Sequence, residues 1–224
     1  MVSHRFGSIR NGFDDFFGLD FANTRLQFFY GISDGFRVAT SRNSFNKTYE
    51  ISLKYRLFQQ QSGTPVTVVG YTQGANNTQL DESLLTFPVN FGDRISVTQQ
   101  VLISRKFNKR LSLELMPTSF CEGYVNYPEQ DPSQFTPGFG GRYMFGTRWS
   151  LHVDYGWHLN RAAGSPFVNP FSIGVDIETG GHVFQMHFTN AQPTFKSGFP
   201  GNAVGNWGDG IIYFSFNLSR VFNF

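Results

Sequence analysis

Apolar and polar residues alternate one by one along much of this sequence. From Lys47 to Phe58, one face carries only large apolar side chains: Tyr49, Ile51, Leu53, Tyr55 and Leu57. The other face of the same segment is polar or charged: Thr48, Glu50, Ser52, Lys54 and Arg56. Trp149 to Asn160 follows the same rule, with Trp149 and Trp157 near its ends. Such period-two alternation predicts β-strands with one apolar and one polar face.

The same alternation predicts further strands along the chain. Their apolar positions are Leu26, Phe28, Tyr30 and Ile32; Phe36, Val38 and Thr40; Ile95, Val97, Val101 and Ile103; Leu111, Leu113 and Leu115; Phe139, Tyr143 and Phe145; Phe171, Ile173, Val175 and Ile177; and His182, Phe184, Met186 and Phe188. Val66 to Gln73 is a weaker strand, and Val2 to Gly7 is a candidate first strand. A last strand lies within Ile211 to Phe224. Together these segments indicate about twelve strands.

Connections of two lengths join the predicted strands. Short turns are expected at Ser33 to Gly35, Arg105 to Asn108, Gly146 to Arg148 and Thr179 to Gly181. Long loops are expected at about Ser8 to Asn23, Gly74 to Gly92, Cys121 to Pro137, Asn160 to Pro170 and Asn190 to Asp209. Asn43 to Asn46 and Gln59 to Thr64 are intermediate and fit less well. Short turns on one side and long loops on the other are typical of bacterial outer-membrane barrels, which have periplasmic turns and extracellular loops. An even strand number places both termini in the periplasm.

Composition excludes a helical membrane protein and leaves two classes, a membrane barrel and a soluble all-β domain; the alternation and the connection lengths favour the barrel. Aromatic residues make up 17% of the 224 residues, whereas charged residues make up only 15%. No window approaches the roughly 18 consecutive apolar residues that a membrane-spanning helix requires. We therefore predict an all-β fold, a single antiparallel up-and-down transmembrane β-barrel over residues 1–224, whose aromatic side chains face outer-membrane lipid.

The chain start and the charge distribution add two expectations. Met1 to Arg10 lacks the charged-then-apolar order of a secretory signal, so we expect a mature or trimmed form. The net charge of +2 is scattered rather than clustered, which argues against nucleic acid as a partner. No cofactor is expected.

The last residues carry a separate signal. Apolar residues share one face of the final strand, and the chain ends on an aromatic residue: Phe216, Leu218, Phe222 and Phe224. This ending resembles the C-terminal signal of outer-membrane barrels, which the barrel-assembly machinery recognises in that class. Arg220 interrupts the apolar face. Because a lipid-facing Arg is costly at the bilayer midplane but not near an interface, we expect Arg220 close to the periplasmic edge.

Two stretches resemble a known family. These are His4 to Ile9 followed by Asn11 to Asp20 (HRFGSI and NGFDDFFGLD), and Gly180 to Asn190 (GGHVFQMHFTN). They are similar to a Bacteroidetes-type family of outer-membrane β-barrels known only as a domain of unknown function. The resemblance covers nearly the whole chain and implies the fold and location predicted above. It implies no catalytic or binding residues.

Charged residues and histidines fall on the predicted lumen face. They are Arg25, Arg37, Glu50, Lys54, Arg56, Arg94, Glu114, Arg142, His152, Asp154, His158, Asp176, Glu178 and His187. Because buried charges need partners, one interpretation is a network of ion pairs and waters that packs the interior. The other interpretation is the polar lining of a pore for small polar solutes or ions.

Two chemical alternatives are weaker. His152, Asp154 and His158 share a strand face near Asp176, yet residues two apart on a strand lie about 6.6 Å apart, so hydrogen bonding is expected rather than a metal site. Lipid hydrolysis at the membrane edge would need an outward Ser, His and acid. Only His182 points outward, without such neighbours, so we expect no enzyme.

Two loops have distinctive composition. The loop from Asn11 to Asp20 is aromatic and acidic, which suits a packed loop, a plug inside the barrel or, less well, a Ca²⁺ site. The loop from Asn190 to Asp209 is rich in Gly and Asn, which suits a surface recognition loop.

Taken together, the predicted barrel and its charged lumen favour a narrow porin-like channel. A plugged barrel that acts as a binding or scaffold component of an envelope complex is the alternative.

Overall fold

A computed structural model describes residues 1–80, 88–125 and 127–222 of the chain. These residues form twelve β-strands: β1 (Val2–Ser8), β2 (Ala22–Ser33), β3 (Phe36–Asn43), β4 (Thr48–Phe58), β5 (Thr67–Asn76), β6 (Ile95–Lys106), β7 (Leu111–Glu122), β8 (Ser133–Met144), β9 (Trp149–Gly156), β10 (Phe171–Glu178), β11 (His182–Thr189) and β12 (Tyr213–Arg220). Each strand pairs antiparallel with its neighbours in sequence, and β12 pairs with β1. The predicted closed up-and-down barrel of twelve strands is confirmed.

Within the described residues, helical structure is confined to the connections. It consists of short 3₁₀ segments at Ile9–Gly18, Phe45–Lys47, Gly92–Arg94 and Trp207–Asp209, and one α-helical turn, α1, at Gly198–Gly201. None of the helices in the described part of the chain is long and apolar enough to cross a membrane.

Strict up-and-down order sorts the connections into two ends of the barrel. The turn end carries the start of β1, the end of β12 and the four predicted short turns. The two intermediate connections follow the same order: residues 44–47 belong to the opposite, loop end, and residues 59–66 belong to the turn end. The predicted loop at Cys121 to Pro137 was too long. Pro137 lies inside β8 and faces Pro117 of β7, so prolines that suggest a loop lie within two paired strands.

The outer surface is apolar, as lipid contact requires. Phe28 and Ile51 are 73% and 65% exposed, and they face away from the barrel axis. The inward positions between such residues are polar and nearly inaccessible, as at Ser52, Gln73 and Thr98. An exposed apolar surface of this kind would aggregate in water, but it matches the apolar band of a transmembrane barrel.

The connection between β11 and β12 folds back into the barrel from the loop end. We call residues Ala191 to Ala203 the inserted segment; Ala191 and Ala203 are completely inaccessible. Glycines allow its close packing, because a Cβ at Gly198 would lie 2.6 Å from the Phe195 ring. The prediction of a surface recognition loop at Asn190 to Asp209 is therefore wrong for most of this stretch. This stretch lacks alternation of apolar and polar residues because its backbone is irregular and packed inside the barrel, and not because it is exposed.

The loop after β1 stays outside. Phe13 is 83% exposed, and most side chains from Arg10 to Asp20 lie on the surface at the loop end. Phe16 and Phe17 have left-handed backbone angles with φ of 50° and 57°, which directs their rings outward. The proposed plug at Asn11 to Asp20 is therefore wrong, and the inserted segment occupies that place. Among the described residues, no group of three or more His, Cys, Asp and Glu side chains is arranged to hold a metal ion.

Candidate functional site in the barrel lumen

A cavity of about 890 Å³ lies inside the barrel. At the turn end its wall includes Arg37, Ser112 and Arg142, and toward the loop end it meets Phe195 and Phe199 of the inserted segment. The inward side chains beyond this point, such as Asn43, Thr189 and Phe120, are almost inaccessible. The lumen is thus hollow in its turn-end half and filled in its loop-end half.

The structure sorts the predicted lumen residues into four groups. Those that line the cavity are Arg25, Arg37, Lys54, Glu114, Arg142, His152, Asp154, Asp176 and His187. Glu50 faces inward but is buried against Arg25. Arg56 and Glu178 lie at the turn-end rim, where Arg56 pairs with Asp34 of a turn at 2.9 Å. Arg94 and His158 lie in loop-end connections, outside the cavity.

Cations dominate the wall formed by β1 to β4. Arg25 on β2 forms a buried ion pair with Glu50 on β4, and Gln73 donates a second hydrogen bond to the same carboxylate at 2.6 Å. Arg37 and Lys54 are direct cross-strand partners on β3 and β4. Neither has an ion-pair partner in the part of the chain that the structure describes. This wall therefore holds one neutralised arginine and an adjacent pair of like charges.

The wall formed by β8 to β10 carries acids and histidines. Asp176 is its centre: Ser150 Oγ and Gln185 Nε2 donate to its two oxygens at 3.2 and 3.0 Å, and His152 Nδ1 lies 2.9 Å from Oδ1. Arg142 Nε donates to Ser150 Oγ at 2.8 Å and lies 3.7 Å from the Asp176 carboxylate. In a closed ring of twelve strands, β2, β3 and β4 lie opposite β8, β9 and β10. The lumen thus has a cationic wall that faces an acidic one.

Arg5 is the main lumen residue that sequence reasoning missed. It points inward from β1, is 6% exposed, and donates from Nη1 to the carbonyls of Ala191 at 2.7 Å and Pro193 at 2.6 Å. Its Nη2 lies 3.2 Å from His187 Nε2. Arg5 therefore ties the start of the inserted segment to β1. The alternation of Ser3, Arg5 and Gly7 could have shown this orientation, but the strand is short.

The inserted segment contributes one charge to the cavity. Lys196 Nζ lies over the Tyr71 ring, 5.9 Å from its centroid. Asp154 on β9 and Glu114 on β7 attract the Lys196 ammonium group. Its backbone N–H donates to Gln73 Oε1 at 3.2 Å. Lys196 therefore helps to offset the charges of Asp154 and Glu114, and Lys54 also attracts Glu114.

A buried polar chain anchors the inserted segment at the loop end. His158 Nε2 lies 2.8 Å from Gln134 Oε1, Gln134 Nε2 donates to Glu122 Oε2 at 2.9 Å, and Asn202 Nδ2 donates to Glu122 Oε1 at 3.3 Å. The His158 ring packs near Phe120. Burial, aided by the charge of Arg161, lowers the pKa of His158 from 6.5 to about 4. His158 is therefore a neutral structural residue in a connection near neutral pH.

The predicted C-terminal signal lies mostly at the turn end. Phe216 and Leu218 alternate with inward-facing residues on β12, and Phe222 follows the strand and is exposed. Phe224 lies outside the described residues. Arg220 is the last residue of β12, so it lies at an edge of the barrel wall, and its guanidinium lies 4.8 Å from the Phe222 ring centroid.

Comparison with solved structures places the architecture among porins. A NanC porin in a rhombohedral crystal form is similar with a TM-score of 0.65 and 10% identity, covering 99% of this chain and 98% of that chain. A KdgM porin is similar with a TM-score of 0.63 and 8% identity over 99% and 98% of the two chains. A KdgM porin in complex with disordered oligogalacturonate gives 0.62 and 8% over 99% of each. At these identities the likeness concerns the fold.

Sequence comparison gives the family. No curated protein matches the chain. The model of a family described as a membrane-bound β-barrel domain, DUF5777, matches residues 1–222. Since this match spans the barrel from β1 to beyond β12, the chain belongs to the DUF5777 family of membrane-bound β-barrel domains.

Proposed function

We propose that this barrel is a narrow porin-like channel for small polar solutes or ions in the outer membrane of a Gram-negative-type bacterium. The observation that carries the proposal is the cavity of about 890 Å³, which lies inside a closed barrel and is lined by charged side chains. Charges of both signs on opposite walls stabilise water and polar solutes in a space that lipid cannot enter. To cross the barrel, solutes must pass the inserted segment, which fills the loop-end half of the lumen.

The orientation in the membrane is part of the same proposal. The turns lie together with both ends of the barrel, and the long connections lie at the other end. In outer-membrane barrels the short turns are periplasmic. The cavity would then open toward the periplasm, and the inserted segment would reach in from outside. The outward Phe216 and Leu218 on β12 support assembly by the barrel-assembly machinery.

The neighbouring structures fit this activity. They are NanC and KdgM porins, and one KdgM porin structure is a complex with disordered oligogalacturonate. We propose no enzymatic activity. The expectation that only His182 points outward is wrong, because His4 on β1 also faces outward and lies 3.0 Å from Thr24 Oγ1 through its Nδ1. His182 has Arg220 as its cross-strand neighbour on β12, and neither histidine has a carboxylate ion-pair partner among the described residues.

A plugged barrel that serves as a scaffold or binding component is the second candidate. The hydrogen bonds from Arg5 to the inserted segment favour it, because they hold the loop-end half of the lumen closed. In that case partners would bind the loops or the periplasmic face, and solutes would not cross.

Single-channel conductance in a planar bilayer separates the two candidates. The protein is refolded in detergent, its folding is checked by heat-modifiable gel migration, and it is added to the bilayer at low nanomolar concentration. Discrete, reproducible openings whose size changes in an Arg142→Gln variant support the channel. A folded and inserted barrel that stays silent at all voltages refutes it and leaves the scaffold.

A further inference from the structure

The cations of the lumen are not equally compensated. Within the described residues, Arg25 pairs with Glu50, Arg142 lies within 3.7 Å of Asp176 and Glu178, and Arg5 donates to carbonyls of the inserted segment. Lys196 is attracted by Asp154 and Glu114. Each of these cations therefore has a counterpart of opposite charge or a carbonyl acceptor.

Arg37 and Lys54 have no ion pair among the described residues, although Arg37 lies 5.8 Å from the Phe29 ring centroid and Glu114 attracts Lys54 as it attracts Lys196. They face each other across β3 and β4 on the lumen side, and like charges in such a pair repel. Glu114 attracts Lys54 from β7, but neither cation forms an ion pair with any described residue. Both side chains line the cavity. An anion that lies between the two cations would reduce their repulsion.

The same level of the barrel continues with a phenol and an amide. Lys196 Nζ lies 5.9 Å from the Tyr71 ring centroid, and Gln100 Nε2 donates to Thr118 Oγ1 at 2.8 Å. Lys54 pairs with Tyr71 on β5, and Tyr71 pairs with Gln100 on β6. These residues also line the cavity. Adjacent strands are about 4.8 Å apart, so the row changes from two cations to a phenol and an amide within about 10 to 15 Å. We call Arg37, Lys54, Tyr71 and Gln100 the cationic row.

We propose that the cationic row binds a sugar acid, a carbohydrate that carries one carboxylate and several hydroxyl groups. The carboxylate lies between Arg37 and Lys54, where it accepts charge-assisted hydrogen bonds and removes their repulsion. The hydroxyl groups meet Tyr71 and Gln100. Glu114 on the neighbouring strand β7 and Asp154 on β9 also line the cavity, and both disfavour a second negative charge nearby. The site rests on the proposed function only in that the solute reaches it through the lumen.

Binding can be measured without any transport. Isothermal titration of the refolded barrel in detergent uses sodium glucuronate as the probe, with glucose and sodium chloride at matched ionic strength as reference solutes. Glucuronate should also raise the urea midpoint of unfolding, because a ligand that binds only the folded state stabilises it. Glucose and chloride should give less than a tenth of the affinity.

Two variants locate the site. Arg37→Gln combined with Lys54→Gln should lower the glucuronate affinity at least tenfold. This change removes a like-charge pair and should leave the gel-shift assay for folding unchanged. The matched control is Arg42→Gln: Arg42 lies on the same strand as Arg37 but faces outward, where its Nε donates to Tyr49 Oη at 3.3 Å. It should bind glucuronate as the unmodified protein does.

The outcomes are distinct from those of the conductance test. If unmodified protein does not bind glucuronate, or if the double variant binds it equally well, the sugar-acid site is refuted. A silent barrel that binds through Arg37 and Lys54 would refute the channel and keep the site. A conducting barrel that does not bind glucuronate would refute the sugar-acid site and keep the channel.

Discussion

Removing the Arg5 side chain should release the inserted segment. In Arg5→Ala the carbonyls of Ala191 and Pro193 lose donors at 2.7 and 2.6 Å. A hydrogen bond from a charged group contributes about 1.5–3 kcal/mol, and water that fills the vacated space recovers part of it. A net loss of about 3 kcal/mol is therefore expected for the two bonds. Since about 1.4 kcal/mol is a factor of ten, the released population should rise about 100-fold.

Two assays detect this release. Single-channel recordings should show larger or more frequent openings in Arg5→Ala, and limited trypsin digestion should cut faster after Lys196 in the inserted segment. Arg42→Ala is the control, because Arg42 is an outward-facing residue of the same type. The gel-shift assay must show a folded barrel in each case. If Arg5→Ala conducts and is digested exactly as the unmodified protein is, Arg5 does not hold the segment.

Three further changes test the interior. Glu50→Gln leaves Arg25 buried without its counter-charge and should lower the free energy of unfolding by about 3–5 kcal/mol in urea titrations, whereas Arg25→Met with Glu50→Leu should be far milder. The pKa of His158 is lowered to about 4 by burial, so the unfolded chain takes up a proton first as the pH falls below 6.5. Stability should therefore be lost between pH 6.5 and 4, and His158→Asn should flatten that loss; an unchanged pH profile contradicts this role. Gly198→Ala should displace the inserted segment, because its Cβ would lie 2.6 Å from the Phe195 ring, and trypsin sensitivity equal to the unmodified protein would contradict this packing.

The wall of the barrel could be predicted from sequence because its two faces meet different surroundings. Lipid selects apolar side chains at Tyr49, Ile51 and Leu53, and the lumen selects Glu50 and Ser52 between them. The alternation therefore records the orientation of every long strand. Turn lengths record which end of the barrel each connection occupies, since an up-and-down order leaves no freedom in that choice.

The depth of each side chain was harder to predict. Arg94 and His158 have the parity of inward residues, but β6 begins at Ile95 and β9 ends at Gly156, so both lie in connections. The place of a residue in the alternation shows whether its side chain points inward or outward. It does not show how far along the barrel axis the residue lies. Cross-strand partners such as Arg37 and Lys54 depend on register, which is fixed across a whole ladder of backbone hydrogen bonds.

The inserted segment was unpredictable for a different reason. A segment buried in a polar lumen needs no regular spacing of apolar residues, because polar side chains of the barrel wall bind its backbone directly. Arg5 donates to its carbonyls, Gln73 accepts from the Lys196 N–H, and Asn43 donates to Thr194 Oγ1 at 2.6 Å. Its glycines and asparagines therefore look like those of an exposed loop. Only the barrel residues that contact it identify its position.

The two interpretations of the lumen charges apply to different halves of the barrel. Toward the loop end, Glu50 is buried with Arg25 and Gln73, and the backbone of the inserted segment bonds with Arg5 and Gln73. Toward the turn end, Arg37 and Lys54 line open space without ion-pair partners among the described residues. Buried charges must be paired, whereas hydrated charges need not be. The charges of the filled half therefore stabilise the fold, and those of the hollow half can bind a solute. Substitutions of Glu50 should therefore change mainly stability, and substitutions of Arg37 and Lys54 should change mainly binding.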